Sequence, residues 1–215
     1  MTLTNSERSF LPAAGRDLFL PLYDPLTRLL GLDRWRRALL DQAGLRPHDR
    51  VLDVGCGTGS LAVLIRKEQP TVGVVGVDPD VKALARARGK AERAGLSIRF
   101  DQGFADALGS ADEAFDRVFS SMMFHHLGKD EKSGMLREVR RVLKPGGRLE
   151  LLDFSGPDAD LHGAVSRLVH SHRRLKGNSP AEILRLMADA GFVDAGRLRS
   201  ESTIFGRLVF YQAIA

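Results

Sequence analysis

A single cysteine, Cys56, occurs in 215 residues. An internal disulfide is therefore excluded, and nothing points to an oxidising compartment. Long apolar runs are also missing. None approaches the roughly 20 residues that a membrane-spanning helix needs, and Met1 to Leu20 lacks the charged-then-apolar order of a secretory leader. A soluble, cytoplasmic protein without stable membrane insertion is the expectation. Aromatic residues make up only 7% of the chain, and no aromatic-plus-basic stacking surface or RNA-binding module can be read. The net charge of +5 is spread along helical segments (Arg34, Arg36, Arg37; Arg86, Arg88, Lys90; Arg137, Arg140, Arg141) as solvated faces. Neither the Asn/Asp-Pro-Pro-Tyr motif nor a Pro-Cys nucleophile occurs, so no nucleic-acid partner is expected. Three His/Asp-type ligands at metal spacing are not evident, and no metal is expected. No repeat or low-complexity segment divides the chain, and 43% hydrophobic residues suffice for a substantial core.

The most informative segment is Val51-Leu52-Asp53-Val54-Gly55-Cys56-Gly57-Thr58-Gly59-Ser60-Leu61. A short apolar run reads as a buried strand, alternate glycines follow, and Leu61 to Ile65 begins a helix. Strand, glycine turn and helix N-terminus form a nucleotide-binding corner, where bare backbone admits a ligand closely. A dinucleotide fingerprint would need Gly or Ala at position 60, where Ser60 stands, and no Gly-Lys-Ser/Thr closes a phosphate loop. Asp53 is the unusual element. A fixed negative charge before the first glycine would repel a pyrophosphate, whereas it suits an amino-acid ammonium beside a sulfonium, as in S-adenosylmethionine. The next strand ends in Val77-Asp78-Pro79-Asp80, with Asp78 placed 23 positions after Gly55. A parallel βαβ unit brings such a carboxylate beside a ribose. The competing use is an N-cap for the helix from Val81, which Asp78 or Asp80 could serve.

With VLDVGCGTGSL, VGVDPD, FDRVFSSMMFHHL and LREVRRVLKPGGRLELLDF in that order, the chain resembles the class I S-adenosylmethionine-dependent methyltransferases, small-molecule (quinone and secondary-metabolite) branch. The resemblance runs from about Leu45 to the C-terminus. It implies an α/β fold: a doubly wound, mostly parallel seven-stranded sheet with an antiparallel last strand. It also implies S-adenosyl-L-methionine as cofactor, S-adenosyl-L-homocysteine as product, and a small-molecule acceptor. On this pattern Asp53, Gly55, Cys56, Gly57, Thr58, Gly59, Asp78, Pro79, Gly103, Phe104, Ala105 and Ser120 meet the cofactor. Relatives often carry an acidic residue after the glycine that here precedes Phe104. Phe104 either walls the adenine or belongs to the core, and Asp106 could recover the missing hydrogen bond. Catechol-type members hold magnesium with carboxylates near the end of strand four; none stands in this segment, again predicting no metal.

The domain expectation is an N-terminal helical cap over 1–44 and a cofactor-binding domain over 45–215, with an acceptor-covering insertion at 155–178. Helices are predicted over 25–43, 60–68, 81–94, 129–143 and from Pro180 to Ala190, and strands over 50–54, 73–78, 97–102, 116–122, 148–154, 193–200 and 205–213. Three residues are candidates for catalysis. An unperturbed imidazole titrates near neutrality, so His125 or His126 could take a proton from the acceptor; helix capping and loop orientation are their alternative roles. Tyr23 either faces the sulfonium with its ring or packs as a staple. The basic group His162, His170, His172, Arg173, Arg174 and Lys176 reads as one face of an amphipathic segment that meets an anionic acceptor or a membrane surface, or is simply solvated. A nicotinamide-dependent oxidoreductase and a non-catalytic cofactor-binding protein remain the competing classes.

Overall fold

Neighbouring residues of the central strands are both apolar because both faces of the sheet are covered. Val51 and Leu52, Val118 and Phe119, and Leu151 and Leu152 are all fully buried, and one of each pair faces each helical layer. The computed structural model describes residues 31–156, 177–203 and 206–215. The strands are β1 (Arg50–Val54), β2 (Gly73–Asp78), β3 (Arg99–Gln102), β4 (Phe115–Ser121), β5 (Leu143–Phe154), β6 (Val193–Thr203) and β7 (Gly206–Ile214). They form one seven-stranded sheet in the order β3-β2-β1-β4-β5-β7-β6. All pairings from β3 to β5 are parallel, and β7 runs antiparallel to both its neighbours. This is the doubly wound sheet with a reversed last strand that the sequence implies.

The described helices are α1 (Leu32–Ala43), α2 (Ser60–Glu68), α3 (Val81–Arg93), α4 (Lys129–Val142) and α5 (Pro180–Asp189). α1, α2 and α3 supply one apolar layer, and α4 and α5 the other. α5 opens as its sequence predicts, with Pro180 at its first turn and Ser179 accepting a hydrogen bond from the Glu182 N–H. β5 begins five residues earlier than expected. Leu143 pairs with Phe115 before the Lys144-Pro145-Gly146-Gly147 turn interrupts the ladder, which resumes at Arg148 opposite Arg117. Gly146, at φ +75°, makes that excursion possible.

At the far end of β5 the chain is clasped. The Gly156 N–H donates to the Asn178 carbonyl (2.9 Å), the Asn178 amide donates to the Phe154 carbonyl, and Lys132 Nζ reaches Asn178 Oδ1 at 2.9 Å and the Gly177 carbonyl at 3.2 Å. Burial lowers the Lys132 pKa, while its ammonium also lies over the Phe124 ring. Most of the 155–178 insertion, Tyr23, and the part of the cap before Gly31 lie outside the described residues.

The strand order reverses beside β1: the chain moves outward through β2 and β3, then returns to β4 on the other side. Ligands of doubly wound sheets bind at this switch point, beyond the strands' C-terminal ends.

Candidate functional site

A cavity of about 430 Å³ opens at that point, lined from β1, β2, the loops after β3 and β4, and α1. Its floor is the glycine turn. Gly55, Gly57 and Gly59 have φ of +70°, +53° and +72°, the left-handed region that side chains resist. Gly55 has a second reason to lack a side chain, since a Cβ there would lie 2.3 Å from Met123 Cγ. The Gly55 N–H donates to the Val77 carbonyl (2.8 Å), tying the turn to β2.

Asp78 and Asp80 divide the two roles that the sequence left open between them. Asp80 caps α3, accepting from the Lys82 and Ala83 N–H groups. Asp78 instead lines the cavity, accepting from the Gly57 N–H at Oδ2 (2.8 Å) and from the Asp80 N–H at Oδ1 (2.9 Å). Each carboxylate oxygen keeps acceptor capacity for a further donor. Burial raises the Asp78 pKa, against the two backbone hydrogen bonds that lower it.

Asp53 sits deeper, 1% exposed. Burial pushes its pKa up to about 7, with the neighbouring Asp78 charge adding to the shift and Arg36 and the Ala62 N–H opposing it. Its Oδ2 is buried with no hydrogen-bond partner among the described residues. Such an oxygen is costly unless a ligand donates to it. A cationic ligand group fits there and a phosphate does not. Cys56 also lines the cavity, with its thiol pushed well above the ordinary pKa by burial and then by Asp53 and Asp78, so it is no nucleophile.

The opposite wall comes from the β3 and β4 loops. Gly103, Phe104, Ala105 and Asp106 lie together on it, with Pro79 and Thr58 nearby. Ser121 rather than Ser120 reaches the cavity: Ser120 is fully buried in β4, and adjacent strand residues point to opposite sides. Met122, at φ +57°, turns the chain out of β4 so that Met122 and Met123 both face the cavity. Gly59 lies off the wall and serves as the N-cap of α2.

His125 and His126 form most of a 3-10 turn, Phe124–His126, and have different surroundings. His126 lines the cavity, whereas His125 is 4% exposed and points away. The Nδ1 of His125 lies 2.5 Å from Oδ1 of Asp153, and its N–H donates to Asp153 Oδ2 at 3.1 Å. Asp153 is fully buried at the end of β5. Burial alone would raise its pKa, but the His125 ring and the Phe154 N–H hold it below the ordinary value. The two imidazoles lie in contact, with centroids 4.1 Å apart and planes tilted by 40°.

Arg36 corrects the sequence reading. It is not solvated but 6% exposed and lines the cavity. Its place was legible: Leu32, Arg36, Leu39 and Ala43 fall on one helical stripe, and all are buried. Asp153 was missed because its relation to His125 spans 28 residues and no local pattern announces it. Among the described residues no group of three His, Cys, Asp or Glu side chains could hold a metal ion, and no helix is long and apolar enough to cross a membrane.

A family profile described as a methyltransferase domain matches residues 51–147. The chain is 44% identical over 155 residues to a demethylmenaquinone methyltransferase of Deinococcus radiodurans, spanning 71% of this chain and 64% of that protein, just under two thirds of it. It is likewise 44% identical over 151 residues to a protein of the same name from Thermus thermophilus, spanning 69% of this chain and 68% of the relative. Among solved structures, a SAM dependent methyltransferase from Aquifex aeolicus has the same fold, with a TM-score of 0.67 and 22% identity over 83% of this chain and 88% of that one. The chain belongs to the class I S-adenosylmethionine-dependent methyltransferases.

Proposed function

We propose that this protein transfers the methyl group of S-adenosylmethionine to a small, partly apolar acceptor with a quinone-type ring, without a metal ion. Asp53 supports the cofactor assignment most directly: it lines the cavity beside the glycine turn, and its buried Oδ2 has no donor among the described residues. The acceptor class is taken from the relatives, which are demethylmenaquinone methyltransferases by name, and agrees with the apolar wall of Met122, Met123 and Leu127.

When bound, S-adenosylmethionine supplies an activated methyl carbon whose bond to sulfur breaks as the acceptor atom attacks in line. The chain's own residues hold, align and dry the reacting pair. Asp53 accepts from the ammonium of the amino-acid end, and Asp78 uses its remaining acceptor sites on the ribose hydroxyls. Phe104, with Asp106 beside it, borders the base. Met122 and Met123 keep water from the reacting atoms. Alignment of this kind supplies roughly 7–11 kcal/mol of a bimolecular barrier. His126, on the cavity wall, takes the proton that the acceptor loses, and His125 steadies it from behind.

A screen for S-adenosylhomocysteine release over quinols, phenols, amines and lipid head groups tests the proposal, alongside calorimetric titration with S-adenosylmethionine and with nicotinamide dinucleotides. Turnover of a reduced quinone is the expected result. Binding of a nicotinamide dinucleotide to the exclusion of the sulfonium compound would make the protein an oxidoreductase. Tight S-adenosylmethionine binding with no acceptor methylated would make it a binding protein.

A further inference from the structure

We infer that Arg36 is the receptor for the carboxylate of the cofactor's amino-acid end, so that Arg36 and Asp53 together read a zwitterion. This deepens the proposed function and rests on it.

Arginine is almost never buried unless it is paired, yet Arg36 occupies the apolar stripe of α1 between Leu32 and Leu39. A local rule broken inside a cavity points to a ligand. Among the described residues the one partner of Arg36 is modest: Nη1 reaches Asp33 Oδ1 at 2.8 Å, and the Asp33 side chain is 47% exposed. A guanidinium carries five N–H donors in a planar fork, so one contact leaves most of its capacity unused.

The relation to Asp53 is more telling. Arg36 is near enough for its charge to lower the Asp53 pKa, yet Asp53 Oδ2 has no hydrogen-bond partner among the described residues. Two buried, opposite charges that merely stabilised the fold would gain by closing into an ion pair. Here they share one cavity and remain apart. An α-amino acid carries its ammonium and carboxylate on the same carbon, and so presents a donor to Asp53 and an acceptor to Arg36 at once. The other charged groups on the wall, Asp78, Asp106 and Glu131, are acidic. They would repel a carboxylate, which leaves Arg36 as its place.

The arrangement also gives α1 a purpose beyond packing. Trp35, Leu39 and Leu40 anchor the helix in the core, and the anchored helix presents Arg36 to a site otherwise built by the sheet. A charge-assisted, fork-like pair of this kind depends on that fixed approach.

The test uses two ligands that differ only at this end. S-adenosylhomocysteine carries the amino acid, and 5′-methylthioadenosine keeps the base, ribose and thioether without it. Both are titrated by calorimetry into the full chain, with Arg36→Gln and Arg36→Lys variants checked for unaltered thermal unfolding. Arg36→Gln is expected to weaken S-adenosylhomocysteine by about tenfold or more and to leave 5′-methylthioadenosine nearly unchanged. Arg36→Lys retains the charge without the fork and should fall between, which keeps the test decisive should the Gln variant unfold. Equal losses for both ligands, or no loss for either, would overturn the assignment and leave Arg36 a structural residue. If the unaltered protein binds neither ligand, the proposed function fails, and this inference with it.

Discussion

The Gly57 N–H lies 2.8 Å from Asp78 Oδ2, so the carboxylate at the end of β2 braces the glycine turn before any ligand arrives. A donor that would meet a phosphate in other nucleotide-binding corners is already spoken for. Replacing Asp78 should therefore harm the turn and the ribose contact together. Asp78→Ala is expected to weaken S-adenosylhomocysteine by about 10–100-fold, from hydrogen bonds to a charged group worth roughly 1.5–3 kcal/mol. Asp78→Asn, which keeps one acceptor oxygen, should lose less. Calorimetric titration of the two variants checks the order.

Asp53 makes stability and binding respond to pH in opposite senses. An aspartate ionises near 3.9 in an unfolded chain and at about 7 in this fold. The raised value means that the ligand-free fold has its full contribution from this group below about pH 4 and loses it as pH rises through 7. By linkage the whole effect is on the order of 4 kcal/mol. Asp53→Asn should therefore stabilise the ligand-free protein at pH 8 and make little difference at pH 4. A cationic ligand favours the ionised form, so the protection that S-adenosylhomocysteine gives the unaltered protein should grow over the same interval and vanish in Asp53→Asn. Thermal unfolding with and without ligand, from pH 4 to 8, measures both.

Two glycines with similar backbones should tolerate alanine very differently. Gly55 and Gly95 have φ of +70° and +67°, but a Cβ at Gly95 meets no atom within 4 Å, whereas at Gly55 it would run into Met123. Gly95→Ala is expected to cost only the left-handed strain, about 1–2 kcal/mol. Gly55→Ala should cost distinctly more and abolish ligand binding. Denaturant unfolding gives the comparison.

The two histidines should separate kinetically. His126→Gln is expected to lower the turnover of a quinol acceptor about 10²-fold or more while leaving the affinity for S-adenosylhomocysteine within about twofold. Asp153→Ala strips His125 of its buried partner and should destabilise the fold by about 3–5 kcal/mol. Steady-state kinetics and chemical unfolding of the two variants distinguish proton transfer from support. An undiminished turnover in His126→Gln would remove that residue from the chemistry.

The glycine turn, Asp53 and the βαβ unit were readable in the sequence because local backbone demands fix them: only glycine adopts the required φ cheaply, and apolar runs reveal a doubly covered sheet. The start of β5 was not, because the Lys-Pro-Gly-Gly turn hides a pairing of Leu143 with Phe115 that exists only across the sheet. Arg36 passed for a surface residue since basic residues surround it on α1, although the helical phase placed it inward. Ser121 displaced Ser120 through strand phase alone. The Asp153–His125 contact joins two elements whose proximity the topology creates.

The clasp between Phe154, Gly156 and Asn178 brings the exit and re-entry of the chain to a single point beside α4. The hydrogen bonds that hold these two ends together, and with them the end of β5, are made by the described residues themselves. An engineer grafting a segment onto this fold has there two fixed attachment points, set apart from the residues that line the cavity.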